Sequence, residues 1–200
     1  MTIHCITSFR GPNEEYGYVL GSDSRAENDL GEVFNAQKHF IGKTFLGLIR
    51  GNVPRLRGMP DDYNFALRSL DEMFEGISQG IDYSHLPVLQ QSSDYCLFVA
   101  KREDSCVNLF TVSTLKKRRH RAKEIGKMDP LVQKSTVYLA LNSPDYLEFS
   151  SDLYDYNQAL KTANAFSSPP IDFLNLFAPS YEPGPVNLYV VSSKRIGKIS

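Results

Sequence analysis

The chain has 200 residues, 42% of them apolar and 12% aromatic, which suits one domain with a sizeable core. Its 22 Lys plus Arg against 23 Asp plus Glu leave no overall charge to steer it toward nucleic acid or an anionic membrane. No run approaches the roughly 20 apolar residues that span a bilayer, and no basic segment followed by an apolar one opens the sequence, so a cytoplasmic location without membrane attachment is expected.

Residues 2–10 and 16–23 are rich in Ile, Val, Tyr and Phe and flank GPNEE, a turn-forming stretch, which predicts a β-hairpin. VFNAQKHFI (33–41) and TFLGLIRG (44–51), joined at Gly42 and Lys43, predict a second hairpin that brings Lys38 back toward the first, all four strands sharing one sheet. At Pro60 the pattern turns helical. Asp61 and Asp62 fall in the first turn, and Ala66, Leu70, Met73, Phe74 and Ile77 recur at helical spacing. Residues 76–93 read as a loop from their Gly, Ser and Pro content. DYCLFVAK (94–101) and CVNLFTVS (106–113) predict another hairpin, turning around Glu103 and Asp104.

The charge run LKKRRHRAK (115–123) reads as a solvated loop or a contact between protomers; the near-neutral balance of the chain argues against nucleic acid as its partner. STVYLALN (135–142) predicts a strand and VNLYVVSS (186–193) a late one. Between them SDLYDYNQALKTANAF (151–166) predicts a helix capped by Ser151 or Asp152, with Leu153, Tyr156, Leu160 and Ala163 on one face. Antiparallel strand clusters separated by helices imply an α+β arrangement of two packed sheets with helices outside, one domain over residues 1–200.

Three cysteines, Cys5, Cys96 and Cys106, lie in strand-like segments without paired spacing, so buried free thiols are expected. His4, His39, His85 and His120 show no metal-ligand spacing, and neither metal nor cofactor is expected. Removal of Met1 would expose Thr2, giving one residue both a hydroxyl to attack a carbonyl and a free α-amine, titrating near ~8, to take the proton. Cys5, inside the strand, cannot supply that amine.

GSDSRA (21–26), about twenty residues after Thr2 and followed by Lys38, resembles the proteasome β-subunit group of N-terminal nucleophile hydrolases. That resemblance implies a four-layer α-β-β-α sandwich. It implies Thr2 as nucleophile, with Asp23 and Lys38 completing the catalytic set and Arg25 supporting it. Gly51, with Gly47 as the alternative, matches the glycine whose N–H faces the developing oxyanion, and Ser143 in LALNSPDYL and Ser180 in PSYEPGPVNLYVV match two supporting serines. Asn142 and Pro144 stand where the family has glycines around Ser143, and Phe177 stands where it has an aspartate before Ser180. The resemblance implies a threonine peptidase acting on a peptide or small amide within a homo-oligomer, with an ATP-dependent unfoldase as an open partner. The alternative function is a catalytically divergent relative that serves as a binding or assembly module.

Overall fold

The computed structural model describes residues 3–27, 33–35, 38–52, 94–113, 121–141, 146–168 and 184–199. Thr2, the helix expected after Pro60, the loop that follows it, Ser143, Ser180 and residues 115–120 of the basic run lie outside the described residues.

Strands β1 (Ile3–Arg10) and β2 (Tyr16–Asp23) form the expected first hairpin. They are the centre of a six-stranded antiparallel sheet ordered β11-β10-β1-β2-β12-β13, completed by β10 (Lys134–Leu141), β11 (Leu147–Asp152), β12 (Val186–Ser192) and β13 (Ile196–Lys198). A second sheet of five strands is a meander ordered β5-β6-β7-β8-β9: β5 (His39–Ile41), β6 (Phe45–Asn52), β7 (Asp94–Arg102), β8 (Val107–Ser113) and β9 (Arg121–Met128). A two-stranded ribbon, β3 (Arg25–Glu27) with β4 (Val33–Asn35), lies between them in the chain.

Period-two alternation sorts the side chains. Ile6, Tyr18, Leu20, Tyr138, Tyr189 and Val191 of the six-stranded sheet pack against Leu46, Leu48, Phe98, Ala100, Val107 and Leu109 of the five-stranded sheet in the main core. The opposite face of the six-stranded sheet, with Phe9, Val19, Leu188 and Val190, receives helix α1 (Tyr156–Ser167) through Ala159 and Ala163. Asp155 caps that helix: its carboxylate accepts the Gln158 N–H and the Gln158 side chain accepts the Asp155 N–H, both at 2.8 Å.

The four-layer α-β-β-α expectation is not met. The described residues are mostly strand, two large antiparallel sheets with α1 as their sole α-helix, lying on one outer face. Three local expectations also change. The two N-terminal hairpins do not share a sheet, because the chain leaves the first sheet at Ser24 and enters the second at His39. The single strand expected over 33–41 is two short ones, and the segment expected to start a helix, Ser151 and Asp152, ends β11 instead, paired with Ser135 and Lys134. Among the described residues no helix is long and apolar enough to cross a membrane.

A bulge in the second sheet ties the two sheets together. Between Leu109 and Phe110 the pairing to β9 skips Ile125, whose carbonyl accepts the Tyr138 hydroxyl from the facing sheet at 2.8 Å. Gly126 makes room for this: a Cβ there would lie 2.5 Å from the Tyr138 hydroxyl oxygen and 2.7 Å from that of Tyr18.

The β1–β2 turn carries backbone strain. Asn13 and Glu14 both adopt positive φ, 63° and 59°, which Asn tolerates and Glu does not favour. Glu14→Gly is expected to raise stability by about 1 kcal/mol after allowing for the greater freedom of an unfolded glycine, read as a higher urea midpoint at unchanged slope. An unchanged or lower midpoint would show that the turn stores no such strain.

Candidate active site

At the end of β2 the Asp23 side chain is fully buried. Its Oδ1 accepts the backbone N–H of Ile3 at 2.7 Å, and the Lys38 ammonium reaches both carboxylate oxygens at 3.2 Å. The Lys38 side chain is 9% exposed and that of Asp23 0%. A carboxylate in this position has three charge-assisted contacts to offset its desolvation. The structure therefore brings together Asp23 and Lys38, two of the residues the sequence pattern singled out.

The ribbon explains how residues fifteen apart in sequence meet. After Asp23 the chain runs out along β3 and returns along β4, with Arg25 opposite Asn35. The Ser24 hydroxyl donates to Asn35 Oδ1 at 3.1 Å, closing the ribbon's base, and Lys38 follows three residues later. On the other side of β2, Val186 of β12 pairs with Asp23, and the Ser24 N–H donates to the Pro185 carbonyl at 3.0 Å. Asp23 is thus gripped by its neighbours on both flanks.

Burial pushes the Lys38 pKa below the ordinary lysine value, and the Asp23 carboxylate opposes that push through its charge and hydrogen bonds. The result is a buried cation that sheds its proton more readily than a surface lysine.

The neighbourhood is aromatic. His4, fully buried, meets Phe98 edge to face at 6.2 Å and 75°. Beside Lys38 in the chain, His39 Nδ1 and the Tyr189 hydroxyl share a hydrogen bond of 2.6 Å, with ring centroids 4.4 Å apart. This bond joins the edge of the five-stranded sheet to β12 of the other sheet. Burial, reinforced by the charge of Lys198, lowers the His39 pKa.

The other candidates within the described residues lie as follows. Arg25 opens β3, half-buried. Gly51 lies in β6 opposite Tyr95, and Gly47 opposite Val99. The register His39 with Leu48 puts Lys38 level with Ile49, so Gly51 lies two residues farther along β6, beyond the point where β5 begins. Cys5 is buried on the helix side of β1, its thiol pushed up to about 12 by desolvation, which makes it a poor nucleophile. Sequence reasoning missed Ser24 and Asn35. The signal was present in the SDSR run, where a serine directly after a strand-ending aspartate can bond to a neighbouring turn.

No protein-family model and no curated protein matches the chain. Among solved structures it is similar to the Anbu (Gly-1) mutant from Hyphomicrobium sp. strain MC1, at 12% identity over 98% of this chain and 87% of that one, with a TM-score of 0.38. A TM-score this low gives the likeness no weight for fold or chemistry.

Proposed function

We propose that the protein is an N-terminal threonine hydrolase that cleaves a peptide or other amide bond once Met1 has been removed. One observation carries the reading: the buried Asp23 carboxylate holds both the Lys38 ammonium and the Ile3 N–H, and that N–H belongs to the peptide bond linking Ile3 to Thr2. A buried ion pair adds little net stability, so a pair built onto the amide of Ile3, next in the chain to a residue with a hydroxyl and a potential free amine, is better accounted for by chemistry.

In this reading the Thr2 hydroxyl attacks the substrate carbonyl and its proton passes to the Thr2 α-amine. The Lys38 charge lowers the cost of the alkoxide, and Asp23 fixes the ammonium in place. The C–N bond breaks as the leaving amine takes the proton, leaving an ester on Thr2. Water, deprotonated by the same amine, attacks that ester; the bond from the acyl carbon to the Thr2 oxygen breaks, that oxygen takes the proton back from the amine, and the acid leaves.

The test has two parts. The intact mass of the protein from its native source is expected to lack Met1. A β-lactone or epoxyketone is then expected to add one equivalent, mapped by peptide mass to Thr2. A native protein that keeps Met1, or an adduct elsewhere, removes this function and favours the binding or assembly alternative.

A further inference from the structure

Three contacts converge on Asp23 and the two residues that follow it. Val186 pairs with Asp23, the Pro185 carbonyl accepts the Ser24 N–H at 3.0 Å, and Gly184 lies flush against Ser24 and Arg25. A Cβ on Gly184 would stand 2.7 Å from the Arg25 backbone nitrogen and 3.0 Å from Ser24 Oγ. The first of these is backbone, with no flexible end to swing aside, so any L side chain at 184 forces the two chain segments apart. Gly197, in β13 at the edge of the same sheet, has nothing within 4 Å of its would-be Cβ. Gly197 is therefore an uncrowded control, whereas Gly17 and Gly21 of the same sheet are crowded as Gly184 is.

We propose that Gly184 and Ser24 are positioning residues for the Asp23–Lys38 pair. The glycine seats the approach to β12 against the chain just after Asp23, and the Ser24 hydroxyl pins Asn35 so that the returning ribbon delivers Lys38 to the carboxylate. Both ends of the excursion that separates the two partners are set at this one seat. The Lys38 ammonium meets two oxygens at 3.2 Å each, the long end of the hydrogen-bonding range, so a shift of about 1 Å in the Ser24 backbone breaks the contact. A part in hydrolysis rests on the proposed function; the positioning of the pair does not.

The experiment measures the rate at which each lysine is acetylated by trace acetic anhydride, read by peptide mass against exposed Lys127 in the same sample. Unsubstituted Lys38 is expected to react more slowly than Lys127, being buried and paired. Gly184→Ala is expected to raise the Lys38 rate about tenfold, whether the freed amine loses its proton more easily or becomes more accessible. Ser24→Ala removes the hydroxyl without adding bulk and is expected to raise it about threefold. Gly197→Ala is expected to leave it unchanged. A folded Gly184→Ala protein with an unaltered Lys38 rate overturns the proposal, and if that variant does not fold, an unaltered rate in Ser24→Ala overturns it. A raised Lys38 rate in a protein whose Thr2 takes no electrophile sustains the positioning role and sinks the hydrolase reading.

Discussion

On the proposed function, Thr2→Ala is expected to lose all detectable hydrolysis and all β-lactone or epoxyketone labelling, while its melting temperature stays within about 2 °C of the unsubstituted protein. The hydroxyl is the only protein group in the proposed chemistry that bonds to the substrate carbon, so no other side chain can stand in for it. The substitution leaves the Ile3 N–H bond to Asp23 and the Lys38 contacts in place, because they involve backbone and residues elsewhere. A loss of at least about a thousandfold in kcat/KM is therefore expected without a stability change, the signature of a group acting in the transition state. Thr2→Ser retains a hydroxyl and is expected to keep measurable turnover. Labelling that persists in Thr2→Ala moves the chemistry to another residue.

The strands most readily read from sequence were those with apolar residues on both faces. In β1 and β2 one face meets the other sheet and the other meets α1, so nearly every position is apolar or buried and the boundaries of β2 fall where the pattern places them. The hairpin of β7 and β8 has the same clarity. By contrast β9, with the sequence RAKEIGKM, lies at a sheet edge with one face toward solvent, and its charges are the usual dress of an exposed edge. Its first three residues were read as the end of a basic loop and the other five carried no strand signal, so that strand was invisible. β11 (LEFSSD) is another edge strand, and its polar end was absorbed into the helix that follows. Local propensity cannot separate Asp152 from Asp155 as a helix cap; the pairing of Asp152 with Lys134 decides it.

At the site, residue types were legible and routes were not. An aspartate ending a buried strand and a lysine fifteen residues on are compatible with a simple hairpin, which is why one four-stranded sheet was expected. What the chain does instead is leave the sheet through a ribbon closed by Ser24 and Asn35, a connection set by a side-chain hydrogen bond that hydrophobic periodicity does not encode. The glycine at 184 was likewise unreadable, because its significance lies in a backbone about 160 residues earlier in the chain, at Ser24 and Arg25.

The second large effect concerns the ion pair. Asp23→Asn keeps an oxygen for the Ile3 N–H and sets an NH2 group, a donor, against the Lys38 ammonium, so the cation stays buried without its counter-charge. Lys38→Met leaves the converse, a buried carboxylate without the ammonium that balanced it. Each is expected to cost about 3–5 kcal/mol in urea unfolding, whereas the double variant is expected to cost much less than the sum, with a coupling of about 2 kcal/mol or more. Additive losses would mean that the two groups do not act as a pair. The pH dependence follows from the direction of the Lys38 shift. Its folded-state pKa lies below its unfolded one, so the unfolded chain binds more protons between the two values and the Lys38 contribution to stability rises with pH across that interval. Asp23 holds the folded-state value up, so Asp23→Asn is expected to move the acetylation midpoint of Lys38 to lower pH. A midpoint that stays where it was, or moves upward, would mean that the Asp23 charge does not reach Lys38. The geometry of a carboxylate bridging an ammonium and the first amide of β1 would then be architecture without the electrostatics that hydrolysis requires.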